Sequence, residues 1–407
     1  MLEKKRLTVV VLTCLLFLAA IPAAAEEWTP VRGKYELNRL MSGLKAERTL
    51  PGGEVHRGEY LTDGTGKLYA WGAEIPRTWS VKANDQVCIT AKKATICYQL
   101  ERSSKDPRRY RAREVVSGTV AEFEVSEDGR AIVKAGPGEA GAEGGAAAPS
   151  ADELAAELSN PNTSVATLTL RNQFRWFDGD LPDADDQWSF MMLFQPSLPF
   201  VLDGGDKVLW RPAVPLFFKK PVFDASTAEF EGEAGLGDIA FDLAYAPRTD
   251  GGKLFAYGFI TSLPTATNGS LGTSRWTLGP EVLIGKMNSW GLVGLFPNHQ
   301  WDVAGWGDAD INLTTILPLF VYLPGGGYNV GTAPIITYDW ISEQWTVPLQ
   351  INVGKTVMLS GRPWKLSVEL NYYVEKPDAF GPEWMLSLNI APVVKNGLAG
   401  WFGLGRN

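Results

Sequence analysis

From about residue 165 to residue 392 the chain alternates apolar and polar residues with a period of two, which constrains its fold more than any other feature. Ala166, Leu168, Leu170, Phe174 and Trp176 fall on one face of an extended strand, and Thr167, Thr169, Arg171, Gln173 and Arg175 on the other. The pattern recurs in Val347, Leu349, Ile351 and Val353 against Thr346, Gln350 and Asn352, and in Leu366, Val368, Leu370 and Tyr372 against Lys365, Ser367, Glu369 and Asn371. It returns in Trp384, Leu386, Leu388 and Ile390 against Ser387 and Asn389. A soluble sandwich alternates too, so the tryptophans carry the next step. Twelve of the fifteen lie beyond residue 160. Trp176, Trp188, Trp276, Trp290, Trp301, Trp340, Trp345, Trp364 and Trp384 sit near predicted strand ends, where the interfacial girdles of a membrane barrel place them. Beyond residue 25 no run of 18 apolar residues offers a membrane helix instead.

Runs starting near 165, 188, 207, 237, 253, 275, 289, 310, 328, 345, 364 and 383 predict about twelve strands. An even number returns both ends of the barrel to one side of the membrane. The expected fold is therefore all-β: a transmembrane antiparallel β-barrel of about 12 strands over 162–394, with a tail over 395–407. Longer external loops are expected at 178–187, 219–234, 265–274 and 304–308, and short turns at 287–288 and 324–327. Prolines 196, 199, 212, 215, 318, 334, 348 and 392 remove ladder donors, and several are expected to mark strand ends or bulges.

The front of the chain reads differently. Lys4, Lys5 and Arg6 precede an apolar run from Leu7 to Ile21, and Ala23-Ala24-Ala25 follows, the layout of a cleaved secretory signal over 1–25. Its loss moves the net charge from −8 to −10, which argues against a nucleic-acid partner. With two histidines and three cysteines, neither a metal centre nor a cofactor is expected. Residues 26–134 read as a small, mostly β domain, with turn signals at Asp63-Gly64 and Asn84-Asp85 and an opening helix over 35–41. Cys88 and Cys97 end a segment whose turn at Lys92-Lys93 would set them opposite each other. A disulfide is expected in an oxidising compartment, with two reduced core thiols as the alternative. Residues 135–150 form a Gly/Ala-rich linker, and its Gly136-Pro-Gly138-Glu-Ala-Gly141 lacks the strand and helix that a dinucleotide site requires. Ser150 and Glu153 have capping-box spacing for a short helix within 151–161, ended by Asn160-Pro161.

The segments LSNPNTSVATLTLRNQF, GLGDI, GPEVLIGK, SWGLVGLFPNHQWDVAG, ITYDWISEQWTVPLQINVGK and YYVEKPDAFGPEW occur in this order over residues 152–392. This part of the chain resembles a family of bacterial outer-membrane β-barrels often labelled neuromedin U-like, related to barrels named for the meta-cleavage pathway of phenol degradation. The resemblance implies a barrel in the outer membrane of a Gram-negative bacterium that passes small solutes, aromatic compounds among them, and it brings no catalytic residues. The ending departs from the pattern: KNGLAGWFGLGRN follows Val393-Val394, so either the last strand closes near Val394 or Trp401-Phe402 belongs to it in a shifted register. Through GEYLTDGTGKLYA, TWSV and the two-cysteine hairpin, residues 26–134 resemble a periplasmic domain common in alphaproteobacteria.

The polar faces supply pore-lining candidates: Arg171, Gln173, Arg175, Gln350, Asn352, Lys365, Glu369, Asn371 and Asn389. Their mixed charge favours small polar or zwitterionic solutes. His299 is the one histidine of the barrel and would be the base of an outer-membrane lipid hydrolase, but no Gly-x-Ser-x-Gly elbow accompanies it, so a structural or pore-lining role is the expectation. Asp178, Asp180, Asp183, Asp185 and Asp186, like Asp302, Asp308 and Asp310, read as solvated external loops rather than a divalent-ion site. Two functions follow: a passive channel or uptake barrel with a periplasmic accessory domain, or a closed barrel that anchors that domain. The expected partners are outer-membrane lipid, a small solute and a periplasmic protein contacting residues 26–134. If the barrel reading holds, the chain in an outer-membrane fraction will migrate faster on a gel unheated than boiled; identical migration would count against it.

Overall fold

The computed structural model describes residues 26–400 except 50–54, 92–93, 117, 127–129, 135–150, 309 and 360. The signal over 1–25, the linker over 135–150 and Trp401-Phe402 lie outside the described residues.

Nine strands between Lys45 and Lys134 close a small barrel, because Ala94–Ser103 pairs with both Gln86–Ala91 and Arg109–Glu114. One neighbouring pair is parallel, Arg130–Lys134 beside Lys45–Thr49. The helix α1, Lys34–Met41, presents Leu37 and Met41 to a core that includes Tyr60, Trp79, Val87, Tyr98 and Phe123. Cys88 and Cys97 are directly opposed across the hairpin and form a disulfide; Lys92-Lys93 lie outside the described residues.

The large barrel has twelve staves. Eight are single strands: Ala166–Asp178, Trp188–Val201, Lys207–Asp224, Lys253–Leu263, Arg275–Asn288, Gln344–Leu359, Arg362–Glu375 and Gly381–Val394. Four are broken: Glu229–Leu236 with Ile239–Ala246, Gly291–Leu295 with Asn298–Gly305, Asn312–Ile316 with Pro318–Gly325, and Tyr328–Thr332 with Ile336–Asp339. The first and last staves pair antiparallel, with Ala166 opposite Val394 and Trp176 opposite Trp384, so the sheet has no free edge. The last strand thus closes at Val394, and Asn396 beyond it donates to the Pro199 carbonyl at 2.8 Å.

The period-two pattern becomes two surfaces. Leu349, Ile351, Val353, Val368, Leu388 and Ile390 are exposed on the outside, an apolar belt that lipid rather than water would cover. A row of Trp188, Trp176, Trp384 and Tyr372 crosses four adjacent staves above it. No helix among the described residues is long and apolar enough to cross a membrane, so the crossing elements are strands.

Two expectations change. The segment 219–234 is not a loop: Lys207–Asp224 and Glu229–Leu236 continue as one hairpin, with Asp224 opposite Glu229. Of the prolines, 318 follows a break, 334 lies in one and 348 follows a register shift, but 196, 199, 212, 215 and 392 sit in register inside strands. Each strand residue donates to only one neighbour, so a proline removes one bond and leaves its carbonyl available; that of Pro215 accepts Gly237 N–H at 2.9 Å.

Between the barrels lies the second helix, α2, Ala151–Glu157. Leu154 is fully buried with Leu68, Ala70, Trp71 and Ile75 of the small barrel and Val165 and Val393 of the large one. Ala155 and Ala156 pack on Leu323 of the large barrel. Asp152 accepts the Gly327 N–H at 2.6 Å, in a turn where an added Cβ on Gly327 would meet the Thr356 carbonyl at 2.7 Å. Glu153, half of the capping box expected from the sequence, instead meets Arg77 of the small barrel at 3.3 Å; Ser150 lies outside the described residues. The Leu154→Ala variant will lose about 2–5 kcal/mol of packing at this junction. The check is thermal unfolding: the small barrel's transition falls, while the temperature at which the large barrel becomes heat-modified stays put.

Candidate functional site

The staves set the site. At positions 171, 173 and 175, alternation along Ala166–Asp178 turns the side chains inward, while Trp176 between girdle neighbours turns outward. In the half of the barrel nearer the long loops, a cavity of about 390 Å³ is lined by Arg171, Gln173, Arg175, Glu369 and Asn371, five of the nine sequence-predicted residues. Arg171 meets Glu369 at 2.8 Å, and Asn371 donates to the same carboxylate at 3.1 Å. Arg175 donates to the Gln173 amide oxygen at 2.7 Å.

The other four candidates do not line this cavity, although Gln350 stands behind its wall, hydrogen-bonded to the Glu369 carboxylate. Gln350 accepts from the Ala333 amide, and Asn352 accepts from Asn329 at 3.2 Å. Asn389 bridges Ser387 and Ser367. Lys365 is the clearest departure from a pore-lining position. It lies toward the short turns and donates to the Leu158 carbonyl at 3.2 Å, because the segment after α2 folds into the mouth of the barrel and covers it.

Several interior groups escaped the sequence reading. Lys220 lines the cavity and donates to the Ser270 carbonyl at 2.6 Å. A register shift between Phe217 and Lys220 reverses the parity of the strand there, and no residue pattern announces it. Arg211 meets Asp242, its cross-strand partner on the next stave, at 2.7 Å, and Glu281, two staves further on, at 3.4 Å. Tyr373 also faces the cavity and was legible from the parity of Asn371.

Toward the turns the interior is filled. Leu209, Ala244, Ala246, Ala256 and Leu283 form an apolar cluster with Phe296 and Leu319 against it. The chain after α2 crosses the mouth: Asn162 donates to the Phe255 carbonyl at 3.0 Å and accepts from Lys207. Below it, burial pushes the Tyr60 phenol above its ordinary value. Burial alone would lower the Arg77 guanidinium, but Tyr60 and Glu153 beside it more than reverse this, so Arg77 stays cationic and the pair with Glu153 persists.

At the loop end, Phe177 stacks on Phe380 at 4.6 Å, and Phe380 meets Phe230 at 4.7 Å. Asp180 and Leu181 donate to the carbonyls of Asp378 and Ala379, and Lys376 meets Asp178 at 2.8 Å. Arg275 reaches Asp302 at 3.6 Å and Asp310 at 3.5 Å. Among the described residues, no group of three or more metal-ligating side chains is placed to hold an ion.

His299 faces outward, not into the pore. Its Nδ1 is bonded to Thr314 Oγ1 at 2.7 Å, Trp340 donates to the same hydroxyl at 2.8 Å, and the imidazole leans on Trp301. Its Nε2 is buried without a hydrogen-bond partner among the described residues, so no carboxylate or serine completes a hydrolytic set there.

No protein-family model and no curated protein sequence matches the chain. Among solved structures it is similar to the NanC porin in a rhombohedral crystal form, at 10% identity and a TM-score of 0.36 over 56% of this chain and 99% of that one. It is also similar to a mutant of the Rh. blastica porin, at 11% identity and a TM-score of 0.24 over 84% of this chain and 91% of that one.

Replacing Glu369 with alanine leaves Arg171 without its carboxylate and will cost about 3 kcal/mol. The apolar double variant Arg171→Met with Glu369→Leu will recover most of that loss. Urea unfolding in detergent reads both, and an Ala variant as stable as wild type would show the pair to be dispensable.

Proposed function

We propose that the chain is an outer-membrane barrel for the uptake of small solutes, of the kind its sequence resembles in the neuromedin U-like and meta-pathway barrels. In this reading solute enters from the long-loop side, and α2 and the small barrel stop the lumen on the periplasmic side. The observation that carries it is a single one: an apolar-belted closed barrel holds a cavity of charged and apolar walls in its loop half and a buried helix in its turn-side mouth. A purely structural barrel gains nothing from a cavity with more cations than carboxylates, whereas passage requires a stopper that can leave. Residues 26–134 then lie in the periplasm, presented to a periplasmic protein, and small aromatic compounds are among the candidate solutes.

The anchoring reading draws on the same junction. Arg77 and Glu153 are both nearly inaccessible where they meet, which ties the small barrel to the large one. His299 supports no enzymatic reading, since its polar partner is Thr314.

Planar-bilayer recordings separate the two. The full chain will conduct weakly, and a variant carrying Glu153→Ala and Leu154→Asp, which unseats α2, will conduct at least tenfold more. If the variant stays as silent as the wild type while remaining heat-modifiable, the uptake reading fails and the anchor remains.

A further inference from the structure

We propose that the loop-side cavity is a binding site for a small organic anion, a single carboxylate on an apolar body, held by Arg175 and Lys220. The proposal deepens the uptake reading by naming the solute class, and it rests on that reading only for the direction of travel.

Charge comes first. Three cations, Arg171, Arg175 and Lys220, converge on the cavity against one carboxylate, Glu369. Glu369 is committed, since it pairs with Arg171 and accepts from Asn371. Arg175 and Lys220 have no carboxylate within 4 Å among the described residues, and they lie near enough to repel each other. Asp238 attracts Lys220 from beyond ion-pair distance and offsets part of its charge, while its oxygens are held at the rim by the Thr265, Ala266 and Thr273 amides at 3.1, 3.1 and 2.6 Å. The polar groups that do bond the two cations are the Gln173 amide and the Tyr373 phenol for Arg175 and the Ser270 carbonyl for Lys220. All three are neutral and leave the charge in place. Two cations on one partly enclosed space are costly unless an anion offsets them.

Shape and polarity come second. The same walls carry Phe177, Phe217, Ile335 and Pro348, so an inorganic anion would leave most of the lining unused. A cavity of about 390 Å³ is of the size that holds small ligands, roughly 300–1,000 Å³, with a few polar groups fixing orientation among apolar ones. Arg175 supplies a planar fork suited to a carboxylate, and Lys220 a point charge beside it. The mixed charges in the sequence suggested small polar or zwitterionic solutes; exchanging Lys365 for Lys220 leaves three cations and one carboxylate, but gathers them on one cavity, where the excess of positive charge favours an anion.

Benzoate and its uncharged isostere benzamide are the probes, titrated calorimetrically into the purified full chain in detergent, with inorganic phosphate as the anion that lacks an apolar body. Benzoate is expected to bind at least tenfold more tightly than either. Arg175→Gln and Lys220→Gln should each weaken benzoate at least tenfold while leaving benzamide unchanged, and Arg175→Lys should restore part of the loss. Heat-modifiable migration selects the variants that have folded, and Lys220→Gln, nearer the rim, serves if Arg175→Gln does not fold. Equal binding of benzoate and benzamide, phosphate binding as tight as benzoate, or full benzoate affinity in both glutamine variants would each overturn the proposal. Benzoate flux into liposomes is read separately, through the Glu153→Ala, Leu154→Asp variant that unseats α2: binding without flux there keeps the site and removes the uptake reading.

Discussion

Everything in the large barrel depends on the pairing of its first stave with its last. Ala166–Asp178 and Gly381–Val394 run antiparallel along nearly their whole length, and this closure leaves the sheet without an open row of N–H and C=O groups. In lipid such a row has no water to satisfy it, so a membrane sheet closes or does not exist. The same pairing places the entrance at Val165 and the exit after Val394 at one end, beside the short turns. The small barrel therefore attaches at that end, and the cavity is left to the other.

Closure also divides the interior. On the turn side, the lumen is taken up by Leu209, Leu283 and their neighbours and then by the segment 151–165. The helix α2 has no outward face: Glu153 and Leu154 meet the small barrel, while Asp152, Ala155 and Ala156 meet the large one. Seven residues cannot hold a helix by their own propensity, so α2 exists because two barrels clamp it. On the loop side the interior stays polar and keeps space, and the charges there do not cancel.

Much of the fold could be read in the sequence because its signal is local. The alternation that sets Val368 between Leu366 and Leu370 on an apolar outer face also tells which neighbours point inward. Arg171, Gln173, Arg175, Glu369 and Asn371 follow from parity alone. Parity fails wherever the ladder slips. The shift near Phe217 hid Lys220, and a hairpin that outgrows the rim made 219–234 look like a loop. Lys365 has the right parity but the wrong height, which depends on where the chain after α2 comes to rest.

By itself the sequence determined what one strand and its neighbours can decide: two β-rich parts, about twelve staves in the larger, an apolar outside and a polar inside, and two cysteines placed to pair. Only the tertiary structure decided that α2 sits in the barrel mouth, that Arg77 reaches Glu153, that Arg211, Asp242 and Glu281 meet, and that Arg175 and Lys220 share one cavity. The physical reason is separation along the chain. Period-two patterning acts between adjacent residues, whereas these contacts join segments tens of residues apart and exist only once the chain has folded.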